Sequence, residues 1–255
     1  MVPLPTPLNA TAAIHCPLCD RPSRPFYHRG PRDPAPGDYR RCHHCGLITL
    51  ERARWLPRDA EHAYYRTHEN RPDDQGYRAH LERLIAPLCR TIPAPATGLD
   101  WGCGPQPVLA SLLRARGYTL EVWDPAFAPQ RPRPPAAGWD FISCTEVLEH
   151  LHHPRETLSE LVAALVPGGI LAVMTEWPPT AAGFRYWHYR RDPTHVAFYG
   201  PGTLSWIAKQ LDCTLELPAP DIALFRRSGT PAGDTPLTAR TRPPQGDAAW
   251  TGQAC

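Results

Sequence analysis

The run GLDWGCG at 98–104 constrains the fold of this chain more than any other stretch: an apolar segment ends on an acid, and two alternating glycines follow. That pattern reads as a strand turning sharply into a helix, since glycine tolerates a left-handed backbone and admits close approach. The alternation then continues. Leu109, Leu112 and Leu113 share one face of a helix over about 107–116, 119–123 reads as a strand stopping at Asp124, and 141–144 as another. Leu158, Leu161, Val162 and Leu165 mark an amphipathic helix over 156–166, and PGG at 167–169 reads as its stop followed by a turn. The unbroken apolar run 170–174 suits a strand buried on both faces. A helix over 203–211 and short strands near 213–217 and 222–227 complete the set. Strands alternating with helices predict an α/β protein with a doubly wound, mostly parallel sheet. Upstream, Leu81, Leu84, Ile85 and Leu88 follow helical spacing from Tyr77, and Pro87 is expected to kink or end that helix.

Four of the nine cysteines form two CxxC units, Cys16–Cys19 and Cys42–Cys45, with 22 residues between the pairs. Each CxxC turn presents two thiolates to one ion, and two turns close a tetrahedral shell, so the four are expected to hold a structural Zn2+ rather than disulfides. A closed four-sulfur shell has no open position for a substrate, which assigns it to folding. The expected organisation is a disordered lead (1–13), a zinc ribbon (14–50), a connecting or lid segment (51–76), the α/β domain (77–228) and a disordered tail (229–255). A formal charge of +2 is too small for a strongly basic nucleic-acid surface. No apolar run reaches the ~20 residues that span a bilayer, and the proline-broken N-terminus lacks the features of a signal peptide. No membrane partner and a cytoplasmic location are therefore expected, with the oligomeric state left open.

GLDWGCG, WDFISCTEVLEHL at 139–151 and LVPGGILAVMT at 165–175 together resemble the spine of class I S-adenosylmethionine-dependent methyltransferases, over roughly 81–227. The resemblance implies a Rossmann-like sheet with the cofactor at the carboxyl ends of its strands. By that resemblance Asp100 orients the glycine loop or meets the methionine amino group, Gly102, Cys103 and Gly104 form the loop, and Asp124 with Pro125 receives the ribose. Thr145 and Glu146 lie beside the cofactor, and the N-terminus of the helix after the loop suits the methionine carboxylate. His150 is read as a structural histidine. Gln106 stands where the family often has a third glycine. Members of this fold place a helix, a strand and a helix between the strand ending at Asp124 and the next. Here fifteen residues, five of them proline, separate Asp124 from Asp140, so this edge of the sheet is expected to be shortened, with loop over the adenine end. The cysteine pairs resemble the zinc ribbon that precedes the catalytic domain in a group of bacterial methyltransferases.

The acceptor is less legible. The segment FRYWHYRRDPTHVAFY at 184–199 is expected to lie over the methyl end, with His195 as base, Asp192 orienting it and His188 as second candidate. The alternative for DPTH is a turn that only packs. Tyr64, Tyr65, His68 and Tyr77 either form a lid or pack the ribbon onto the core. The leading reading is transfer to a small-molecule acceptor, plausibly at oxygen, because the core resembles ubiquinone-type O-methyltransferases. Two others stand beside it: an RNA methyltransferase gripping its substrate with the ribbon, and a non-catalytic cofactor-binding or interaction module.

Overall fold

Period-2 burial on one strand explains how the molecule is layered. In β7 (Leu165–Met174), Ile170, Ala172 and Met174 pack on one side of the sheet and Leu171 and Val173 on the other. On the first side lie α2 (Gln75–Thr91) and α3 (Val108–Arg114), through Leu81, Leu84, Ile85, Leu88, Leu109 and Leu113. On the other lie α4 (Pro154–Ala163) and α5 (Pro201–Gln210), through Leu158, Leu161, Leu204 and Ile207. A strand covered on both faces has to be apolar throughout, which is why 170–174 carries no polar residue. The computed structural model describes residues 14–67 and 70–229, and the expected lead and most of the expected tail lie outside them.

The main sheet has the order β5-β4-β6-β7-β10-β9, with β4 (Thr97–Trp101), β5 (Thr119–Trp123), β6 (Trp139–Thr145), β9 (Cys213–Ala219) and β10 (Ile222–Arg227). β5, β4, β6 and β7 are mutually parallel, while β10 pairs antiparallel with β7 and β9. β5 is one edge strand of this sheet and β9 the other. Residues 125–138 hold only an isolated bridge, Asp124 to Ala128, so the sheet is indeed shortened there.

Two local expectations change. PGG does not separate a helix from a strand: β7 already begins at Leu165, opposite Trp139, and PGG forms a bulge before Phe141 meets Ile170. Gly168 takes φ +80°, which lets the strand loop out and rejoin its ladder. Nor does α2 end at Pro87. It runs one turn further to Thr91, because Leu88 is fully buried and the Thr91 hydroxyl donates to the Pro87 carbonyl.

The cysteine segment builds a second sheet, β1 (Ser23–Tyr27), β2 (Tyr39–Cys42) and β3 (Ile48–Leu50), and its fourth strand comes from far along the chain. β8 (Ala197–Phe198) pairs antiparallel with β3, Ile48 opposite Phe198 and Thr49 opposite Ala197. The packing is shared too: Tyr39, Leu47 and Ile48 belong to the same buried cluster as Phe184, Phe198 and Leu171. Between the sheets, α1 (Arg58–Tyr65) is held by Glu61, which is buried and accepts from His152 Nε2 at 2.9 Å. The His152 ring in turn stacks on Trp55 at 4.4 Å.

Candidate active site

A cleft of about 300 Å³ opens at the carboxyl ends of β4, β5 and β6, within the range of small-ligand sites. Its walls include Asp100, Gly102, Cys103, Gly104, Asp124, Pro125, Thr145 and Glu146, along with His150 and His195. The glycine loop is tied to the strand beside it. The Gly102 and Cys103 N–H groups both donate to the Trp123 carbonyl, at 2.8 and 3.1 Å, and Gly104 N–H donates to Asp124 Oδ2 at 3.1 Å. These donors therefore shape the loop rather than wait for an anion. Asp124 Oδ1 accepts from Ala126 N and Phe127 N, at 2.9 and 3.1 Å, and so orders the turn that closes the shortened edge. A carboxylate has about four acceptor positions, so Asp124 keeps capacity for a ligand.

Gly102 is required twice over. Its φ is +79°, and a Cβ there would sit 2.5 Å from Val147 Cγ2. Gly104 has φ +66°, but its Cβ would meet nothing nearer than Asn70 Nδ2 at 3.7 Å. Gly102→Ala is expected to cost about 2–4 kcal/mol, combining left-handed strain and overpacking, against about 1–2 kcal/mol for Gly104→Ala. Thermal melts of both variants check this, and equal losses would contradict it.

Three acids, Asp100, Asp124 and Glu146, face the cleft. Asp100 is buried and accepts from Ser143 Oγ at 2.9 Å, and burial pushes its pKa up to about 6. An ammonium placed against it would restore the ionised form. Glu146 has φ +55°, a left-handed backbone costly for a residue with a Cβ. The strain is held by Glu146 N–H donating to Met174 O at 2.9 Å, and it brings the carboxylate into the cleft. There Oε2 accepts from Tyr189 OH at 2.7 Å and Oε1 faces His80 Nε2 at 3.3 Å. That contact raises the His80 pKa. Glu149, fully buried just behind, accepts from Thr175 Oγ1 at 2.8 Å, and burial followed by the nearby Glu146 charge pushes it up to about 8.

The three histidine-loop candidates separate. His195 lines the cleft and is buried, with its Nδ1 donating to the Tyr189 carbonyl at 2.8 Å, so in the neutral ring Nε2 carries the lone pair. Asp192 stands 3.9 Å from that Nε2, while its Oδ1 accepts from Thr194 N at 2.8 Å. A backbone carbonyl thus holds the ring at Nδ1, and Asp192, expected to orient it, lies on the Nε2 side. His188 is exposed and pairs with Glu176 at 3.4 Å, because the helical turn Tyr189–Arg191 begins beside it and leaves its ring outside the cleft. His150, expected to be structural, lines the cleft as well. Tyr65 and Tyr77 are in its wall, and His68 lies outside the described residues. His62, Asn70 and Phe127 were not anticipated. His62 and Tyr65 are three apart on α1 and so share a face, a signal the sequence did carry.

The four CxxC sulfurs converge, with Cys16 Sγ to Cys45 Sγ at 3.5 Å and Cys19 Sγ to Cys42 Sγ at 3.3 Å. A disulfide would need about 2.05 Å, whereas sulfurs at the corners of a zinc tetrahedron lie about 3.8 Å apart. The donor set and spacing fit a metal.

A Rossmann-like sheet with an acid-lined cleft at its switch point defines a nucleotide- or cofactor-binding α/β protein. A family model described as a methyltransferase domain matches residues 69–217, more than half of the chain, and the chain belongs to that family. A comparison with curated proteins gives no match. Among solved structures, an O-methyltransferase family protein from Burkholderia thailandensis is 15% identical with a TM-score of 0.44, over 57% of each chain. The amino pentose methyltransferase CalS10 from Micromonospora echinaspora, solved with S-adenosylmethionine bound, is 13% identical with a TM-score of 0.38. That match covers 68% of this chain and 98% of CalS10. Among the described residues, no helix is long and apolar enough to cross a membrane.

Proposed function

We propose that this chain binds S-adenosylmethionine in the cleft and transfers its methyl group to a small acceptor, at oxygen. The observation that carries the reading is the gathering of Asp100, Asp124 and Glu146 with the glycine loop around one cavity. The cofactor's cationic ammonium and sulfonium groups suit carboxylates in a half-buried site, and its ribose diol suits Asp124. The same acids disfavour a phosphate backbone, which supports a small acceptor over RNA.

When bound, the cofactor supplies an electrophilic methyl group on sulfur. The chain's own part is placement and handling of the acceptor. Asp100 and Asp124 fix one end of the cleft, α1 covers another through His62 and Tyr65, and Nε2 of His195 accepts a hydrogen bond from the acceptor's hydroxyl. Alignment of this kind supplies at best about 7–11 kcal/mol of the barrier. We further propose that the four cysteines hold a structural Zn2+, and that the segment after Cys45 carries this order into the site.

Calorimetric titration with S-adenosylmethionine and S-adenosylhomocysteine tests the cofactor site. Micromolar binding of both is expected, weakened about tenfold or more in Asp100→Ala and Asp124→Ala, each of which removes a charged hydrogen-bond acceptor. Unchanged affinity in both variants would refute the assignment.

A further inference from the structure

Behind the acceptor end of the cleft, three buried side chains bring donor atoms together. Glu149, His150 and His195 each offer one ligand atom within 4.8 Å of those of the other two. Glu149 Oε2 is satisfied by Thr175, but Oε1 has no hydrogen-bond partner, and its approach to His150 Nε2 stops at 3.8 Å. A fully buried carboxylate oxygen left in this way keeps its desolvation cost without a compensating contact.

The two imidazoles are set for the same occupant. His150 Nδ1 donates to the Thr194 carbonyl at 3.1 Å and His195 Nδ1 donates to the Tyr189 carbonyl at 2.8 Å. A carbonyl can only accept, so in the neutral rings both protons are on Nδ1 and both Nε2 atoms present lone pairs. The rings meet edge to face, 4.7 Å between centroids. Histidines whose outer nitrogen is held by a backbone carbonyl are oriented as metal ligands are. Asp192 Oδ2, 3.9 Å from His195 Nε2, adds negative charge beside them.

The geometry points to a divalent-cation site formed by Glu149, His150 and His195 in the wall of the cleft, separate from the four-cysteine site. Two imidazoles and one carboxylate, with no sulfur, suit a first-row ion such as Mn2+, Fe2+, Co2+ or Zn2+. Bond lengths of about 2.0–2.2 Å require each side chain to close by less than about 1 Å. Three protein donors leave coordination positions open toward the cleft, which His150 and His195 both line. The inference rests on the methyl-transfer reading for its purpose. With the cation in place, the acceptor's hydroxyl oxygen binds it and its proton is lost to solvent more readily. The oxygen lone pair then forms the new O–CH3 bond as the C–S bond breaks and sulfur keeps that electron pair. In the metal-free chain the same Nε2 of His195 only accepts a hydrogen bond. The acceptor class that follows is one with a hydroxyl able to coordinate a metal.

The test uses the full chain with its four-cysteine site loaded with zinc, titrated with Mn2+ and followed by the electron paramagnetic resonance of free Mn2+. One bound Mn2+ per chain is expected, weakened at least about tenfold in Glu149→Gln and in His195→Asn, while Glu149→Gln keeps its affinity for S-adenosylmethionine. Absence of any bound Mn2+, Co2+ or Zn2+ beyond the cysteine-held ion in the unaltered chain would overturn the site, and a proton shared by Glu149 would then be its occupant. Equal Mn2+ binding in both variants would overturn it as well. Failure of the methyl-transfer reading looks different, as Mn2+ bound in a protein that takes up no S-adenosylmethionine.

Discussion

Arg190→Met is expected to lower stability by about 3–5 kcal/mol, the cost of leaving one charge of a buried pair uncompensated. The guanidinium is fully buried, and its Nη2 lies 2.8 and 2.9 Å from the two oxygens of Asp33, in the loop between β1 and β2. It also donates from Nε to the Phe184 carbonyl at 2.6 Å and lies over the Tyr27 ring at 4.8 Å. The melting temperature should fall by roughly 6–20 °C for a chain of this size. Asp33→Asn added to Arg190→Met should recover part of the loss, since the orphaned charge is then removed. The pair also carries a pH signature. Burial raises the Asp33 pKa, but donors from Tyr27, Ala35 and Arg190 outweigh it and hold the group below the usual carboxylate range. A depressed folded pKa stabilises above the unfolded value of about 3.9 and ceases to as pH falls through the folded one. The gap between the parent and Arg190→Met should therefore narrow below about pH 4. An Arg190→Met protein melting within about 2 °C of the parent at neutral pH would contradict the account.

The position of this pair shows where sequence reasoning stopped. The main sheet was legible because each element carries its own period: the apolar run at 170–174, the acid ending β5 and the helical spacing of Leu158 and Leu161 are local signals. PGG misled because a bulge depends on the neighbouring strand. Only the pairing of Trp139 with Leu165 keeps 165–169 in the ladder. β8 was illegible for a related reason. Two residues carry no period, and their partner Ile48–Leu50 lies far away in sequence.

The cleft divides similarly. The lining of the cleft follows the strand ends, so the family resemblance was enough to bring Asp100, Gly102, Gly104 and Asp124 together around one cavity. In 184–199 the composition marked a polar, aromatic neighbourhood but not which side chains face the cleft. One helical turn leaves His188 in solvent, and a carbonyl from Tyr189 sets the His195 tautomer. Glu149 and His150 are adjacent in TEVLEHL, yet their grouping with His195 depends on segments that meet only in the folded protein.

On the zinc reading, stripping the ion from the four cysteines should slow methyl transfer far more than it weakens cofactor binding. The metal turn is short and well bonded, with Gly46 N–H donating to the Cys42 carbonyl and Cys42 N–H to the Leu47 carbonyl, both at 2.9 Å. One residue later β3 begins, and its ladder to β8 lies directly after His195. Leu50 N–H donates to the Val196 carbonyl at 2.9 Å, and Val196 N–H to the Glu149 carbonyl at 2.8 Å. Order imposed at the cysteines thus reaches both Glu149 and His195 through a continuous run of backbone contacts. Structural zinc contributes about 10–16 kcal/mol in zinc-finger peptides, so its loss should loosen β3 and release β8. A displacement of about 1 Å at an acceptor-handling group costs roughly a hundredfold in rate. Asp100 stands on β4, and Gly102 and Asp124 directly follow β4 and β5, which make no pairing with that sheet. Cofactor affinity should therefore stay within about threefold, well under the roughly 1.4 kcal/mol that a tenfold change represents. Cys42→Ser, or chelation followed by metal analysis, gives the measurement. A metal-free protein with the parent's melting temperature and turnover would show that the four cysteines neither hold an ion nor support the site. A parallel collapse of cofactor affinity would mean that the two sheets fold as one unit.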